Sequence, residues 1–215
     1  AYLRKWNYEL GTSSVAAAIY VGYETQLRRA FHNLAVPADA RTYLKTISTK
    51  RLLDWAVTPQ LATNRPINRD SLLLACVTSA VEDLTKQLGP DMETWIYGQR
   101  NLKHITLTHA LSELVSTAQR RRINIGPVAR GGYAETVNAT GNGLNQEHGA
   151  TFRIVMDTQD WDRTMGINSP GQSADPSSPH YRDLFPLWAE NGYFPAFFSR
   201  KRVEQVTETK MMLKP

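Results

Sequence analysis

Apolar residues recur every four positions along Val15, Ile19, Tyr23, Leu27 and Phe31, with Ala16 and Tyr20 beside them. That spacing lines one side of a helix and predicts one running to about His32. Ser13 or Ser14 stands where a serine oxygen can take up a free N–H of the first turn. Pro37 closes the segment. A shorter helix follows, capped at Thr49, carrying Leu52, Leu53 and Trp55 and stopping before Pro59. After a polar loop from Thr63 to Arg69 comes a second long ridge of Leu73, Val77, Val81, Leu84 and Leu88. It predicts a helix capped by Asn68 or Asp70 and stopped at Gly89-Pro90.

From Asp91 the helical spacing is lost. A brief turn carries Trp95 and Tyr97 to Gly98, and His104 to Thr108 reads as a short strand. Residues 109–125 are mixed in character. Two β-branched segments, Thr136 to Thr140 and Phe152 to Val155, flank Gly141-Asn142-Gly143, and Asn142-Gly143 suits a tight hairpin turn. A Pro-, Gly- and Ser-rich corner from Ser169 to Pro179 leads into an amphipathic piece with Tyr181, Leu184, Leu187 and Trp188. The expected fold class is α+β, with residues 1–98 mainly helical and 99–215 mainly strand and loop, joined as one continuous unit.

Composition narrows the function classes. Of 215 residues, 41% are hydrophobic and 21% charged, which is the balance of a globular chain. The net charge of +5 comes from scattered basic residues; the densest clusters are Arg120-Arg121-Arg122 and Arg200-Lys201-Arg202. Three adjacent charges fit a solvated turn or helix end better than a nucleic-acid footprint, so no nucleic-acid partner is expected. Cys76 is the only cysteine, which excludes an intrachain disulfide framework and a thiolate metal cluster. No apolar run approaches the roughly 18 residues of a membrane span, and no charged-then-apolar leader opens the chain. It begins Ala1-Tyr2-Leu3 without an initiator methionine, so it is expected to be a piece of a longer polypeptide.

Candidate chemistry is sparse. The histidines show no HExxH spacing, and no two-His-plus-carboxylate cluster is present, so no metal is expected. Ser173, His180 and Asp183 have the residue types of a nucleophilic triad, but Pro-Gly-Gln-Ser lacks the GxSxG elbow that exposes such a serine. The glycines of the second half form neither GxGxxG nor a Walker loop and read as backbone permission at turns. Asp160-Trp161-Asp162 reads as a turn around an anchored tryptophan.

One set of phrases is specific. Ser169-Pro170-Gly171-Gln172-Ser173, continuing through Pro179-His180-Tyr181-Arg182-Asp183 to Leu187-Trp188, resembles the C-terminal signature of the penicillin acylase family. That family includes cephalosporin acylases and acyl-homoserine-lactone acylases. Upstream, in the order the family shows, stand Arg130-Gly131-Gly132 with Thr136-Val137-Asn138, then His148-Gly149-Ala150-Thr151-Phe152-Arg153, then Asp160-Trp161-Asp162. The Tyr97-Gly98 turn and the early Trp6 with Ser13-Ser14 also fit. The resemblance implies an N-terminal-nucleophile hydrolase cut from a precursor by its own chemistry, and this chain as the C-terminal portion of its αββα sandwich. The nucleophilic serine with its α-amino base, the oxyanion asparagine and the family's calcium site would lie on upstream segments, leaving no cofactor here. Ala1 stands where a nucleophilic chain would begin with serine.

The resemblance further implies an upstream acylase chain as partner, a small acyl-amide substrate, a periplasmic or secreted location, and no activity for this chain alone. In cephalosporin-type relatives a late carboxylate orients a histidine. Glu147 is the first position for that role and Glu135 the second, against the simpler reading of both as solvated residues beside a hairpin. Asn138 either lines the substrate cleft or satisfies neighbouring backbone. The alternative reading is a non-catalytic scaffold or binding module descended from the family.

Overall fold

The computed structural model describes residues 1–60, 68–141 and 143–214. They fall into two compact units, Ala1–Tyr97 and Gly98–Pro215. The division lies where the helical spacing of the sequence gives way to strands and turns.

In the first unit, α1 (Val15–Ala35), α2 (Thr49–Val57) and α3 (Arg69–Leu88) follow the expected ridges. Ser14 Oγ caps α1 by accepting from Ala17 N at 3.1 Å, and Asn68 Oδ1 caps α3 by accepting from Ser71 N at 3.0 Å. The cap of α2 is Ser48, one residue before the expected Thr49. Gly89, at φ +94°, ends α3 as only glycine does without strain. The polar loop expected from Thr63 onward lies, up to residue 67, outside the described residues.

The deepest line on α3 runs through Cys76, Ala80 and Leu84, while the expected Val77 and Val81 are half-buried. Small residues on that line let α1 come close: a Cβ on Gly22 would stand 3.5 Å from Leu84 and 3.6 Å from Ala80. Leu27, Phe31, Leu52, Trp55 and Cys76 form the core, with the Phe31 and Trp55 rings 5.2 Å apart. Burial keeps the Cys76 thiol protonated, as expected of a small core residue.

In the second unit β1 (His104–Leu107) pairs antiparallel with β2 (Ile125–Ala129). The ladder is irregular between Ile105 and Leu107. Asn145 fills that gap like a piece of strand: its Oδ1 accepts from Thr106 N at 2.8 Å and its Nδ2 donates to Thr106 O at 3.1 Å. Gly126 lies opposite at φ +98°, and a Cβ there would come within 2.4 Å of the Ile105 carbonyl oxygen. Between the strands, α4 (Thr117–Ile123) carries the three arginines and is closed by a Ser116–Gln119 capping box.

A second antiparallel sheet has the order β3 (Phe152–Val155), β4 (Met165–Asn168), β5 (Phe194–Pro195). The corner after β4 feeds α5 (Phe185–Ala189), and α6 (Arg200–Val206) follows β5. Ile105, Ile125, Ile167, Tyr181, Phe185, Trp188 and Ala189 make one core that joins both sheets to α5. The fold class is α+β.

Two local expectations are corrected. Thr136 to Thr140 is not a strand but a series of turns, with an isolated bridge from Thr140 to Gly149. Thr136 Oγ1 accepts from Tyr133 N at 3.1 Å and donates to Tyr133 O at 2.9 Å, which folds the segment back on itself. The partner of β3 is therefore β4; of the expected hairpin turn, Asn142 lies outside the described residues. Trp161 packs on Phe198 with ring centres 5.2 Å apart but stays largely exposed, so it is no deep anchor.

Candidate functional site

A dense polar construction is built on the C-terminal end of α5. Arg130 follows directly on β2, and Arg153 lies on the face of β3 opposite Ile167 of β4. Both side chains run inward to the last carbonyls of α5, and the Trp188 carbonyl also accepts from Asn191 N at 3.1 Å. Arg130 Nη1 reaches Trp188 O at 3.1 Å, Ala189 O at 2.7 Å and Asn191 Oδ1 at 3.3 Å. Arg153 donates from Nη2 to Trp188 O at 3.1 Å and from Nη1 to Asn191 Oδ1 at 3.0 Å.

The rings close the site. The Arg130 guanidinium lies 4.3 Å from the Trp188 ring centre, and that of Arg153 lies 5.2 Å from the Tyr193 ring centre. Trp188 is held in turn by its indole N–H, which donates to Ala150 O at 2.8 Å. Burial and the neighbouring Arg153 cation pull Arg130 down to about 10, and burial pulls Arg153 down as well. Arg130 remains charged at neutral pH. Among the described residues neither guanidinium is paired with a carboxylate, and both Nε atoms are buried without an acceptor.

The sequence-expected site residues are dispersed. Asn138, at φ +59°, turns its Nδ2 to within 3.5 Å of Asn191 Oδ1 and so borders the arginine centre. Glu147 lies at the surface with its Oε1 3.8 Å from Nε2 of the largely exposed His148. Glu135 is exposed in the turn after Gly132. His180 and Asp183 do form a dyad, Nδ1 to Oδ2 at 2.8 Å, and the carboxylate raises the imidazole pKa. Ser173 does not complete it: its Oγ accepts from Asp175 N at 3.1 Å, and its backbone N–H donates to His180 O at 3.0 Å. This arrangement positions a loop; it offers no activated hydroxyl.

The corner itself is fixed by close backbone contact. A Cβ on Gly171 would come within 2.2 Å of His180 O, so glycine is required where the two arms of the loop meet. Tyr181 anchors the same loop by donating to Ile123 O at 2.7 Å. The arginine centre was missed by sequence reasoning, although Arg130, Arg153 and Trp188 each sit in one of the specific phrases. The available signal was a single arginine beside or inside each of two short strands.

No helix among the described residues is long and apolar enough to cross a membrane. No group of three or more His, Cys, Asp or Glu side chains among them could hold a metal ion.

Known proteins resemble this chain over most of its length. Acyl-homoserine lactone acylase QuiP of Pseudomonas aeruginosa is 23% identical over 229 residues, covering 95% of this chain and 27% of that protein. The QuiP acylase of Pseudomonas fluorescens strain Pf0-1 is 26% identical over 167 residues, covering 75% of this chain and 18% of that protein. The chain thus spans about a quarter or less of the curated relatives it matches. Among solved structures, a thermostable penicillin G acylase from Alcaligenes faecalis superposes with a TM-score of 0.49 at 15% identity, covering 94% of this chain and 38% of that one. The sequence model of the penicillin amidase family matches residues 1–205, and the chain belongs to that family.

Proposed function

We propose that this chain is the C-terminal part of an acylase that hydrolyses the amide bond of small acyl amides, N-acyl-homoserine lactones among them. The observation that carries the reading is the family match over residues 1–205, within relatives named as acyl-homoserine lactone acylases. On this reading the nucleophile is a serine at the start of an upstream chain. Its own α-amino group, with an ordinary pKa near 8, takes the hydroxyl proton, and amide donors hold the oxyanion. The present chain contributes strands, a core and the arginine-clamped turn after α5, and Asn138 and Glu147 border the substrate region. The assembled enzyme works in the periplasm or outside the cell.

The sheet supports an assembled state. Phe152 and Ile154 share a face of β3, and Phe194 of β5 lies across Gly166 on the same side; they are 61%, 43% and 38% exposed. Three large apolar side chains on one open sheet face are the surface that a further layer covers.

The test is to isolate the natural protein and identify the chains that co-purify. A partner chain beginning with serine, together with release of free carboxylic acid from an acyl amide, supports the reading. A well-folded assembly with no amide hydrolysis favours a scaffold descended from the family.

A further inference from the structure

The sequence places an asparagine where two buried guanidiniums converge. Asn191 Oδ1 accepts from Nη1 of Arg130 and of Arg153, at 3.3 Å and 3.0 Å. Aspartate is nearly the same size and would turn both contacts into part-buried ion pairs. Nothing else does so: among the described residues the acceptors of these arginines are the carbonyls of Trp188 and Ala189 and this one amide. Glu190, the adjacent acid, is exposed and pairs with neither. Two cations, 1% and 7% exposed, therefore sit together, and among the described residues dipoles and ring faces offset their charge. A counter-ion there would offset part of the cost of burying two charges.

The two guanidiniums also fix the amide. With Oδ1 turned inward to donors, Nδ2 of Asn191 points away from them. The residue is exposed and held at φ +61°, and its Nδ2 makes no hydrogen bond among the described residues. Asn138 Nδ2, 3.5 Å from the same Oδ1, brings a second carboxamide to the spot.

We infer that Asn191 is the recognition residue of a carboxylate-binding subsite, its Nδ2 donating to the ligand while Arg130 and Arg153 supply the attractive field from beneath. The ligand need not reach the buried guanidinium nitrogens; a positive field in a partly desolvated site acts across the length of the amide. The neutral asparagine keeps this field unspent. The carboxylate comes either from a free acid in solution or from an Asp or Glu side chain of the rest of the protein. This inference does not depend on the acylase reading, because it concerns binding in the absence of turnover.

The test uses the full natural protein with sodium acetate as probe, sodium chloride at equal ionic strength as control, and the Asn191→Asp and Asn191→Ala variants. If the ligand is a free acid, acetate raises the melting temperature of the wild type. Asn191→Asp then melts higher without acetate and loses the response, and Asn191→Ala weakens acetate binding by about tenfold or more, as for loss of a charge-assisted hydrogen bond. If the protein supplies the carboxylate, acetate has no effect, Asn191→Asp melts lower by like-charge repulsion, and a crystal structure of the whole protein has an Asp or Glu oxygen on Nδ2. An acetate response that survives in Asn191→Asp, or no response with only water on Nδ2, overturns the inference.

Discussion

The guanidinium of Arg130 lies 4.3 Å from the ring centre of Trp188 while it donates a hydrogen bond to the carbonyl of the same residue at 3.1 Å. Ring and backbone of one tryptophan are thus held by one arginine, and the indole N–H is tied to Ala150 before β3. The contact joins β2, β3 and α5, so the phrases that identify the family are also joined in space.

Replacing Arg130 with alanine should destabilise the protein by about 3 kcal/mol, because buried carbonyls lose a charged donor and Trp188 loses its cover. Lysine should restore only part of this, since an ammonium cannot lie flat over the Trp188 ring as the planar guanidinium does. Denaturant unfolding of the natural protein and both variants measures the order wild type, lysine, alanine.

Gly171→Ala should destabilise by about 1–3 kcal/mol or more. The added Cβ meets backbone of His180 and Tyr181 at 2.2–2.8 Å, and neither can move without opening the corner. Gly11, where an added Cβ would meet nothing within 4 Å, is the control; Gly11→Ala should change the melting temperature little.

Asp162 accepts from Phe198 N, Ser199 N and Ser199 Oγ at 2.9, 2.7 and 2.6 Å, which holds the start of α6 in place. The hydroxyl of Ser199 and the two amides keep its carboxyl below the usual carboxylate range. The folded pKa is depressed, so the contribution is complete above the unfolded value near 4 and is lost as pH falls through the lower folded value. The protection factor of the Ser199 amide against hydrogen exchange should fall below about pH 4 in the natural protein. In Asp162→Asn that protection should be low already at neutral pH, with no acid step.

His180 and Asp183 titrate with the opposite sign. The carboxylate raises the His180 pKa, so the pair stabilises the corner below the unfolded histidine value and releases it as pH rises through the folded one. An NMR titration should find the His180 pKa lowered by Asp183→Asn. Ser173→Ala should leave amide hydrolysis by the natural protein unchanged, because this hydroxyl is bound within its own turn.

The helices were legible because their signals are local. Ser14 and Asn68 lie next to the ridges they cap, and Gly89 follows the ridge it ends. The strands were less so. β4 contains Gly166 and β5 has only two residues, and each is a strand because a distant segment pairs with it. Thr136 to Thr140 has strand composition, yet the Thr136 hydroxyl competes for nearby backbone and Asn138 adopts positive φ. The arginine centre was legible only as single arginines in separate phrases, not as one site. Its contacts join residues 35 to 61 positions apart, a relation that no local spacing encodes.

The central claim is that this chain completes an acylase whose nucleophile lies elsewhere. Its most direct test is to treat the active natural protein with a serine-directed covalent inhibitor and map the label by mass spectrometry. The account predicts loss of amide hydrolysis with the label on a serine outside residues 1–215. A label on Ser173, or on any other residue of this chain, with the same loss of activity would contradict it.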